Sequence, residues 1–524
     1  MLFNSISFIC FFLPVTLIFF FVFGRVHQRS AMVWISLCSL VFYSWLGMQF
    51  LALLIVSILF NYSVGRVLER TAERERLASW VLIFGVGANL AVLMYYKYLF
   101  DLTGWLAAQG PVSIPRFGST ILPLGISFFT FTQIGFLVDR KAGTTKAKSF
   151  IEYVVFVTFF PHLIAGPILH HREIMPQFLK PSTYRFSNAN FTVGLSIFTV
   201  GLMKKVLIAD WFSGFVPLAF DQTFDLSRQE AWRGVLSYFI QLYFDFSGYS
   251  EMAIGLARMF NITFPANFDS PYKAPNIIEF WQRWHMSLTR YVTLYVYNPI
   301  ALAITRARYA KGKPANAAAL RTPDGFASMV ALPTMITMVL IGVWHGSGLQ
   351  FFVFGLLHGI YLCVAHAWKL ISGKKSAKAG SKWLGRARYA GGVLLTCLAV
   401  IFAQVFFRAH SVADADRIIA AMTFWPVHSH AAIGALQAAT TTDATGALKN
   451  WVAIFLALLF VWTMPNTLQI FAAEAPALAK SRAQPALFSI RWQPTPMMGV
   501  IVGLAFVCTF LSVTGATQFL YFRF

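Results

Sequence analysis

A histidine interrupts one of the most apolar stretches of this sequence. His345 lies between the apolar runs Pro333–Val343 and Phe351–Leu357, within the short segment WHGSG. An ionisable side chain at membrane depth is costly unless it faces protein or a water-filled cavity, so it is a functional candidate. Glycines on both sides of the break allow the backbone to turn or to approach a ligand closely. The alternative is a neutral imidazole bonded to a neighbouring carbonyl group.

A second histidine, His285, lies in a region rich in aromatic and charged residues, Asn267–Ile300. This region is too polar to cross a membrane as a simple span, and we predict an interfacial helix that enters the membrane from one side. On such a helix Trp281 and His285 share a face at i, i+4, whereas Arg283 points away. The alternative for His285 is an ordinary residue of a tryptophan-rich membrane interface. Two histidines in such settings suggest a fold that holds them together.

The composition is that of a membrane protein. Of the 524 residues, 57% are hydrophobic and 12% are charged, and the mean hydropathy is +0.63. Apolar runs of about twenty residues recur, which predicts an all-α, multi-pass transmembrane bundle. The net charge of +22 comes from basic residues between the apolar runs, so it indicates a cytoplasmic face and no nucleic-acid partner. The five cysteines form no CxxC pair and predict neither disulfides nor a metal site.

Loop charges predict the orientation of the chain. The first five predicted spans lie near Ser5–Gly24, Ala31–Leu46, Phe50–Leu68, Leu77–Phe100 and Thr120–Val138. Basic residues follow the first, third and fifth of them, which places the N-terminus outside and these loops in the cytoplasm. We expect the first span to be retained and not removed as a signal peptide. We predict about eleven to thirteen membrane segments in a single domain, divided into N-terminal spans (1–140), a catalytic core (150–370) and C-terminal spans (389–524).

Several segments carry polar groups that must avoid lipid. Glu152–Pro167 contains two prolines and a glycine, so we predict a broken or re-entrant segment. Lys204 and Lys205 are expected to snorkel or to line a polar cavity. Asp245 and Glu251, which lie on one predicted helix with Ser247, are too costly to face lipid and should point inward.

Six segments, in order over nearly the whole chain, together resemble the membrane-bound O-acyltransferase (MBOAT) family. The branch that they resemble is that of alginate O-acetyltransferase and its polysaccharide-acetylating relatives. The segments are LPLGISFFTF (122–131), IAGPILHHREIMPQ (164–177), GLMKKVLIAD (201–210), YFDFSGYSEMAIGLARMF (243–260), FWQRWHMSL (280–288) and VWHGSGLQFFVFGLLHG (343–359).

The resemblance implies a ring of tilted helices around a tunnel, with the family's invariant histidine at His345 and its second signature histidine at His285. We assign His345 as the base that accepts the proton of an attacking hydroxyl group, because imidazole titrates near neutrality. His285 is expected to polarise the thioester carbonyl or to bind the acceptor. We predict that both imidazoles lie within about 15 Å of each other, so that reacting atoms can approach to about 3–3.5 Å between them. The further residues that we assign to the tunnel are Trp284, Trp344, Arg283, Asp245, Ser247 and His358.

The same resemblance implies the substrates and partners. We expect a cytoplasmic acyl thioester, acetyl-CoA, as donor, an extracytoplasmic polysaccharide as acceptor, an SGNH-type acetyltransferase as extracytoplasmic partner, and neither a metal nor a bound cofactor. The cytoplasmic (inner) membrane is the expected location. One departure matters: 291–300 lacks the Arg-Asp-Tyr and Pro-Leu-Gly-Gly elements of the alginate branch, which puts alginate itself in doubt as the acceptor.

The chain ends in GATQFLYFRF, and similar aromatic tails are thought to carry an acyl group outward on a tyrosine. Tyr521 is the matching residue, and its alternative role is an aromatic anchor at the membrane interface. A transporter with intramembrane proton relays is the main competing function, although it predicts internal repeats and the sequence shows none. A structural subunit of an export complex is a third possibility, which predicts that both histidines are dispensable.

Overall fold

The chain folds into helices, and the computed structural model describes residues 1–45, 47–109, 118, 121–145, 149–221, 226–372, 382–423, 444–482, 486–513 and 520. The α-helices are α1 Leu13–Val26, α2 Gln28–Ser44, α3 Met48–Arg70, α4 Glu75–Lys97, α5 Leu99–Gln109, α6 Ile126–Lys141, α7 Phe150–Thr158, α8 Phe160–Leu163, α9 His171–Phe178, α10 Asn188–Met203, α11 Asp210–Ser213, α12 Pro217–Phe220, α13 Arg228–Met259, α14 Ile277–Arg283, α15 Met286–Val292, α16 Asn298–Ala310, α17 Pro323–Phe326, α18 Leu332–His345, α19 Leu349–Ser372, α20 Lys382–Arg408, α21 Val412–Thr423, α22 Ala444–Thr463, α23 Thr467–Ile470 and α24 Pro496–Leu511. Short π-helical turns (Phe8–Phe12, Lys204–Ala209, Thr293–Tyr297, Ala327–Ala331) and 3₁₀ turns (Pro181–Tyr184, Pro271–Lys273, Ala319–Arg321, Ala472–Glu474) join several of them.

Eight helical segments in the described part of the chain are long and apolar enough to cross a membrane. They are Phe8–Val26, Met48–Arg70, Glu75–Lys97, Asn188–Phe220, Pro323–His345, Leu349–Ser372, Trp383–Arg408 and Gly446–Thr463. The prediction of a multi-pass helical membrane protein is therefore confirmed. The larger predicted number of segments also counted shorter apolar helices such as α2, α6 and α24.

Helices α10 and α13 pack against each other at very short range because glycines face each other along the contact. A Cβ atom on Gly201 would lie 2.5 Å from the carbonyl oxygen of Gly248, and one on Gly194 would lie 2.6 Å from that of Gly255. Such close approach of two backbones is possible only for residues without a side chain. The pair places α13, the longest helix at 32 residues, in the centre of the fold.

The charged residues of this pair are buried and compensated. Lys205 Nζ lies 2.7 Å from Asp245 Oδ1 and 2.7 Å from Asp210 Oδ1, and Lys204 Nζ lies 2.5 Å from Glu251 Oε1. The prediction that Asp245 and Glu251 point inward is confirmed. The prediction that the two lysines snorkel or line a cavity is wrong, because both pair with carboxylates of α13, which removes the cost of an isolated buried charge.

The predicted break in the segment around Pro161 is confirmed. Helix α7 ends before Phe159, whose backbone is extended (φ −47°, ψ 107°), and the single turn α8 follows. His162 lies in this turn, and its Nε2 is 2.9 Å from the carbonyl oxygen of Phe156, an otherwise free acceptor at the end of α7. The side chain thus compensates for the hydrogen bond that the broken helix loses.

The region around His285 differs from its prediction. Helix α14 ends at Arg283, Trp284 is extended, and His285 has a left-handed backbone (φ 43°, ψ 53°) before α15 starts. The expectation that Trp281 and His285 share one helical face is therefore wrong. His285 itself is 1% exposed, so it is enclosed by protein, whereas its neighbours Trp284 and Met286 are half-buried. Sequence polarity suggested a membrane surface, but hydrogen bonds within the protein satisfy these polar groups instead.

Helices α18 and α19 form a tight hairpin with His345 at its turn. Gly342 and Gly355 face each other, and a Cβ atom on Gly342 would lie 2.9 Å from the Cα atom of Gly355. The turn itself, Gly346–Gly348, leaves the helix in an extended conformation at Gly346. The glycines noted in the sequence thus serve close helix packing as well as the turn.

Candidate active site

The unusual backbone of His285 is held by Asn267. The carbonyl oxygen of Asn267 accepts a hydrogen bond from Met286 N–H at 2.9 Å, and its Oδ1 accepts from the Ser287 hydroxyl at 2.6 Å. Its side-chain amide donates to Ser250 Oγ on α13 at 3.1 Å. A left-handed conformation costs a residue other than glycine about 1–2 kcal/mol. Asn267 offsets that cost and links the histidine to α13.

We expect replacement of Asn267 by alanine to lower acyl transfer by roughly 10- to 100-fold, since a displacement of about 1 Å in an active site can cost that much. The change removes the three side-chain hydrogen bonds of Asn267, two with Ser287 and one with Ser250, and leaves the His285 imidazole itself intact. Initial rates should be measured in membranes at matched protein levels, together with thermal unfolding.

Asn190→Ala is a matched control, because the Asn190 amide also bridges two segments, donating to Asn261 Oδ1 at 2.7 Å, but at a distance from the histidines. Equal activity in the two variants would contradict a positioning role for Asn267.

The turn that carries His345 is fixed by the end of α4 and the start of α5. Tyr98 OH donates to the Val343 carbonyl oxygen at 2.8 Å. The Lys97 ammonium donates to the carbonyl oxygen of Trp344, and the Ser347 hydroxyl donates to Asp101. Lys97 thereby satisfies a carbonyl group at the C-terminus of α18, and Tyr98 adds a second donor to the Val343 carbonyl oxygen, which Gly346 N–H already bonds at 3.1 Å. His345 is 5% exposed as a result of this packing.

His285 and His345 line the same cavity. Other residues in its wall are Leu242, Phe280, Trp281, Trp284, Leu288, Phe354, His358, Val400, Gln404 and Phe407. Aromatic rings fix both imidazoles: Phe246 lies 4.7 Å from His285 and Phe407 lies 4.8 Å from His345, measured between ring centroids. We call this space the histidine chamber. Its wall is mostly apolar, with the three histidines and Gln404 as exceptions, so hydrogen bonds inside it are strengthened by the low polarity.

The histidine chamber is small, at about 30 Å³. That is close to the volume that one water molecule occupies in the liquid. An acyl thioester can therefore enter only if rings in the wall move. The large aromatic side chains around the histidines are the groups that must do so.

His358, which the resemblance assigned to the tunnel, also lines the chamber. Its Nδ1 accepts a hydrogen bond from Trp281 Nε1 at 3.2 Å. An imidazole that accepts through Nδ1 and is neutral carries its proton on Nε2. Trp281 thus fixes the orientation and tautomer of His358.

The other residues assigned to the tunnel are placed differently. Trp284 lines the chamber, whereas Trp344 lies beside His345 at 4.8 Å between ring centroids and faces a second cavity. Arg283 lies outside the chamber, paired with Glu279 at 2.6 Å. Of these three residues, only Trp284 lines the chamber; Trp344 and Arg283 line neighbouring cavities.

Asp245 and Ser247 are buried on α13, and neither is among the residues that line the chamber. Asp245 instead receives the backbone N–H of Leu520 on Oδ2 at 2.8 Å, besides its ion pair with Lys205. The acyl-carrying role predicted for Tyr521 concerns a residue outside the described part of the chain.

The adjacent pair His170–His171 divides between two environments. His170 Nδ1 lies 3.3 Å from Tyr295 OH, whereas the His171 ring packs against Phe156 at 5.0 Å. Burial lowers the pKa of both imidazoles to about 4, and for His170 the nearby Arg290 contributes further. Both are therefore neutral at physiological pH. In the described residues, no group of three or more His, Cys, Asp or Glu side chains is arranged to hold a metal.

A large groove of about 1410 Å³ lies next to the chamber. Helices α14, α19 and α20 form the wall between the groove and the chamber. On α20, Ala399 lines the groove and the next residue, Val400, lines the chamber. On α19, the ring of Tyr361 lines the groove, and its centroid lies 5.8 Å from that of His358 in the chamber. Five basic side chains line the groove, namely Arg283, Arg290, Lys369, Lys480 and Arg482. A ligand in the groove is thus one layer of side chains from the histidines.

Sequence reasoning missed Asn267 and Lys97. Lys97 reaches Trp344 across 247 positions of the chain and Asn267 reaches Ser287 across 20, so neither contact follows from the local helical pattern. For Lys97 a signal was available, since it is a lysine at the end of an apolar run. Asn267 gave none, because an asparagine in a polar stretch is ordinary.

Helices that cross a membrane and enclose two buried histidines in one chamber define a helical membrane protein with an intramembrane site. The sequence profile of the MBOAT, membrane-bound O-acyltransferase, family matches residues 34–311. The chain belongs to this family, and it is therefore an enzyme that transfers an acyl group to a hydroxyl group.

Similar proteins agree with this assignment. The chain is 36% identical over 455 residues to a peptidoglycan O-acetyltransferase of Helicobacter pylori, covering 80% of each chain. It is 32% identical over 565 residues to a probable alginate O-acetylase of Pseudomonas syringae pv. tomato, covering 100% of both. A teichoic acid D-alanyltransferase of Streptococcus thermophilus is 28% identical over 298 residues, or 54% of this chain and 68% of that protein. Each of these names is that of a transferase, so the competing transporter function gains no support.

Proposed function

We propose that this enzyme moves an acetyl group from a cytoplasmic thioester to hydroxyl groups of an extracytoplasmic polysaccharide. The observation that carries the proposal is the histidine chamber, because His285 and His345 both line it. The adjacent groove is large enough for a donor. The relatives named for peptidoglycan and alginate acetylation support a polysaccharide acceptor.

The groove is the proposed donor site. Two of its basic side chains have carboxylate partners, since Arg283 pairs with Glu279 and Arg290 pairs with Glu173. Among the described residues, Lys369, Lys480 and Arg482 form no ion pair, which leaves three cations for a ligand. Phosphates of coenzyme A, or of the arm of a carrier protein, would meet them. We infer acetyl-CoA as the donor because it supplies both the phosphates and the acetyl thioester.

The two histidines take different roles in the transfer. The hydroxyl oxygen of the acceptor attacks the thioester carbonyl carbon while His345 accepts the hydroxyl proton, and His285 stabilises the oxygen that becomes negative. When the intermediate collapses, the carbon–sulfur bond breaks and the thiol leaves with the proton held by His345. Atoms and charges balance without a further reactant.

The product is proposed to leave on the side opposite the groove. We infer from the basic loops that the groove end of α19 faces the cytoplasm and that the N-terminus lies outside, in the inner membrane. Burial of Leu520 against Asp245 supports a C-terminal segment held within the protein. In a route through this segment, the hydroxyl of Tyr521, the next residue, would take the place of the acceptor in the first transfer and would then pass the acetyl group to an SGNH-type partner or directly to the polymer.

We predict that acetyl transfer is vectorial. Inverted membrane vesicles should incorporate label from [¹⁴C]acetyl-CoA added to the medium, whereas sealed right-side-out vesicles should not. Cysteines introduced at Ala310 and Ala413, both exposed, report the orientation in a cysteine-free background. An impermeant maleimide should label Ala413→Cys in intact cells and Ala310→Cys only after permeabilisation. Labelling of both from one side would contradict outward transfer.

A further inference from the structure

Two polar side chains of the histidine chamber take no part in the transfer step. They are His358 on α19 and Gln404 on α20, and both line the chamber. His358 is 1% exposed and Gln404 is 4% exposed. Polar groups are costly in a mostly apolar wall unless partners satisfy them, so these side chains indicate a ligand with polar atoms of its own.

Gln404 offers an amide oxygen to such a ligand. The Tyr272 hydroxyl is a hydrogen-bond partner of Gln404, and this hydroxyl donates its only proton to the Phe239 carbonyl oxygen at 2.7 Å. Toward Gln404 the hydroxyl can therefore only accept, which assigns the amide nitrogen, Nε2, to Tyr272. The other end of the amide, Oε1, is buried and has no hydrogen-bond partner among the described residues. A ligand of the chamber must supply an N–H or O–H group to satisfy it.

His358 offers the complementary group, a hydrogen-bond donor. Its Nδ1 already accepts from Trp281 Nε1 at 3.2 Å, so the neutral imidazole carries its proton on Nε2. Gln404 and His358 together thus present one acceptor and one donor, both uncharged. A secondary amide satisfies the two at once, through its N–H group and its carbonyl oxygen.

One face of α20 leads from the groove to His345 and contains Gln404. Thr396, Val400, Gln404 and Phe407 follow this face at helical spacing. Thr396 lines the groove, and the other three line the chamber. Phe407 lies 4.8 Å from His345, measured between ring centroids. A flexible arm that reaches from the groove to His345 along this face therefore passes Gln404.

His358 lies between the groove and His345 on the opposite side of this path. Its ring centroid is 5.8 Å from that of Tyr361, which lines the groove, and 4.7 Å from that of Phe354. The Phe354 ring is in turn 6.0 Å from His345. The donor and acceptor groups of the wall are thus on the groove side of the reacting atoms.

We propose that Gln404 and His358 bind an amide of the pantetheine arm of the acyl donor. Gln404 Oε1 accepts from the amide N–H, and His358 Nε2 donates to the amide carbonyl oxygen. In this arm only two methylene groups separate the first amide nitrogen from the thioester sulfur, so the amide lies next to the thioester that His285 and His345 act on. The inference rests on the proposed transfer from acetyl-CoA and extends it to two residues that bind and position the donor.

The test compares acetyl-CoA with an analogue in which an oxygen atom replaces the N–H of this amide, so that an ester stands in its place. Both donors carry label in the thioester acetyl group, and transfer to the cell's own polymer is measured in detergent-permeabilised membranes. We expect wild-type enzyme to prefer acetyl-CoA by roughly 10-fold in kcat/KM, because the analogue leaves a buried acceptor without a partner. Gln404→Met should lose this preference, since its transfer from acetyl-CoA falls to the level of the analogue.

Two further variants complete the comparison. His358→Phe should lower transfer from both donors by a similar factor, because both keep the carbonyl oxygen that His358 binds. Gln229→Met, an exposed change in the first turn of α13, is the matched control and should keep the wild-type preference. Transfer from the analogue by Gln404→Met at the wild-type rate reports that this variant is folded.

A secondary amide can also arrive with the acceptor, as the N-acetyl group of an amino sugar. In that case Gln404→Met would slow transfer from both donors equally, which would overturn the assignment of these residues to the donor. Equal use of the two donors by wild-type enzyme would overturn it as well. If wild-type membranes transfer nothing from acetyl-CoA, the proposed acyl transfer itself is contradicted.

Discussion

Replacing His345 by alanine is expected to lower acetyl transfer by about 10²- to 10⁴-fold, the usual effect of losing a general base. His345 lies at the end of α18, 5% exposed, in the wall of both the histidine chamber and the second cavity, which Trp344 also lines. No other side chain that lines both spaces in the described structure can accept a proton. The remaining activity should come from substrate binding and from polarisation of the thioester by His285.

The measurement is a single-turnover rate of label transfer at saturating donor, normalised to the amount of protein in the membrane. His345→Gln keeps the bulk of the side chain and should be as inactive as the alanine variant, so that an effect of an empty space can be separated from loss of the base. His366→Ala, a change on α19 away from the chamber, is the matched control and should retain activity. Near-normal transfer by either His345 variant would exclude it as the base.

The second large effect is expected on stability. Lys205→Met removes a cation that lies 2.7 Å from Asp245, in a pair whose side chains are 4% and 1% exposed. Breaking a buried pair by removing one partner typically costs about 3–5 kcal/mol, because the remaining charge stays buried without compensation. We expect a lower unfolding temperature in detergent and less protein in the membrane.

A double variant tests whether the loss of stability comes from the carboxylate that is left without a partner. Lys205→Met with Asp245→Leu replaces the two buried charges by apolar groups and leaves only Asp210, which is 20% exposed, so we expect it to regain part of the stability. Lys313→Met provides the exposed comparison, since Lys313 and Asp324 are 53% and 60% exposed and such pairs contribute only about 0–1 kcal/mol. A single Lys205→Met variant as stable as the Lys313 variant would contradict the role assigned to the buried pair.

The double variant also tests the C-terminal segment. Asp245→Leu removes the acceptor of the Leu520 N–H group, which lies 2.8 Å from Asp245 Oδ2. If the double variant is stable yet transfers acetyl poorly, anchoring of the segment matters for function. If it is stable and fully active, Asp245 serves the fold alone.

The sequence by itself determined the class of the protein and the positions of its two central histidines. Long apolar runs have few stable arrangements other than membrane helices, because only helices and closed barrels satisfy the backbone in lipid. An ionisable residue within such a run must be buried in protein, which identified His345 and Asp245 before any fold was known. These are local properties, and the surrounding residues are enough to read them.

The tertiary structure alone decided how the histidines are held and what surrounds them. A left-handed backbone at His285 is unfavourable locally and is held by Asn267, earlier in the same polar region, which bonds the residues that follow His285. Lys97 reaches the turn of His345 across 247 positions of sequence. Contacts at such separations depend on how helices pack, and each is one of many that the same polar residue could make. A single sequence therefore specifies that a polar group must find a partner, whereas the packing of the helices selects which partner it finds.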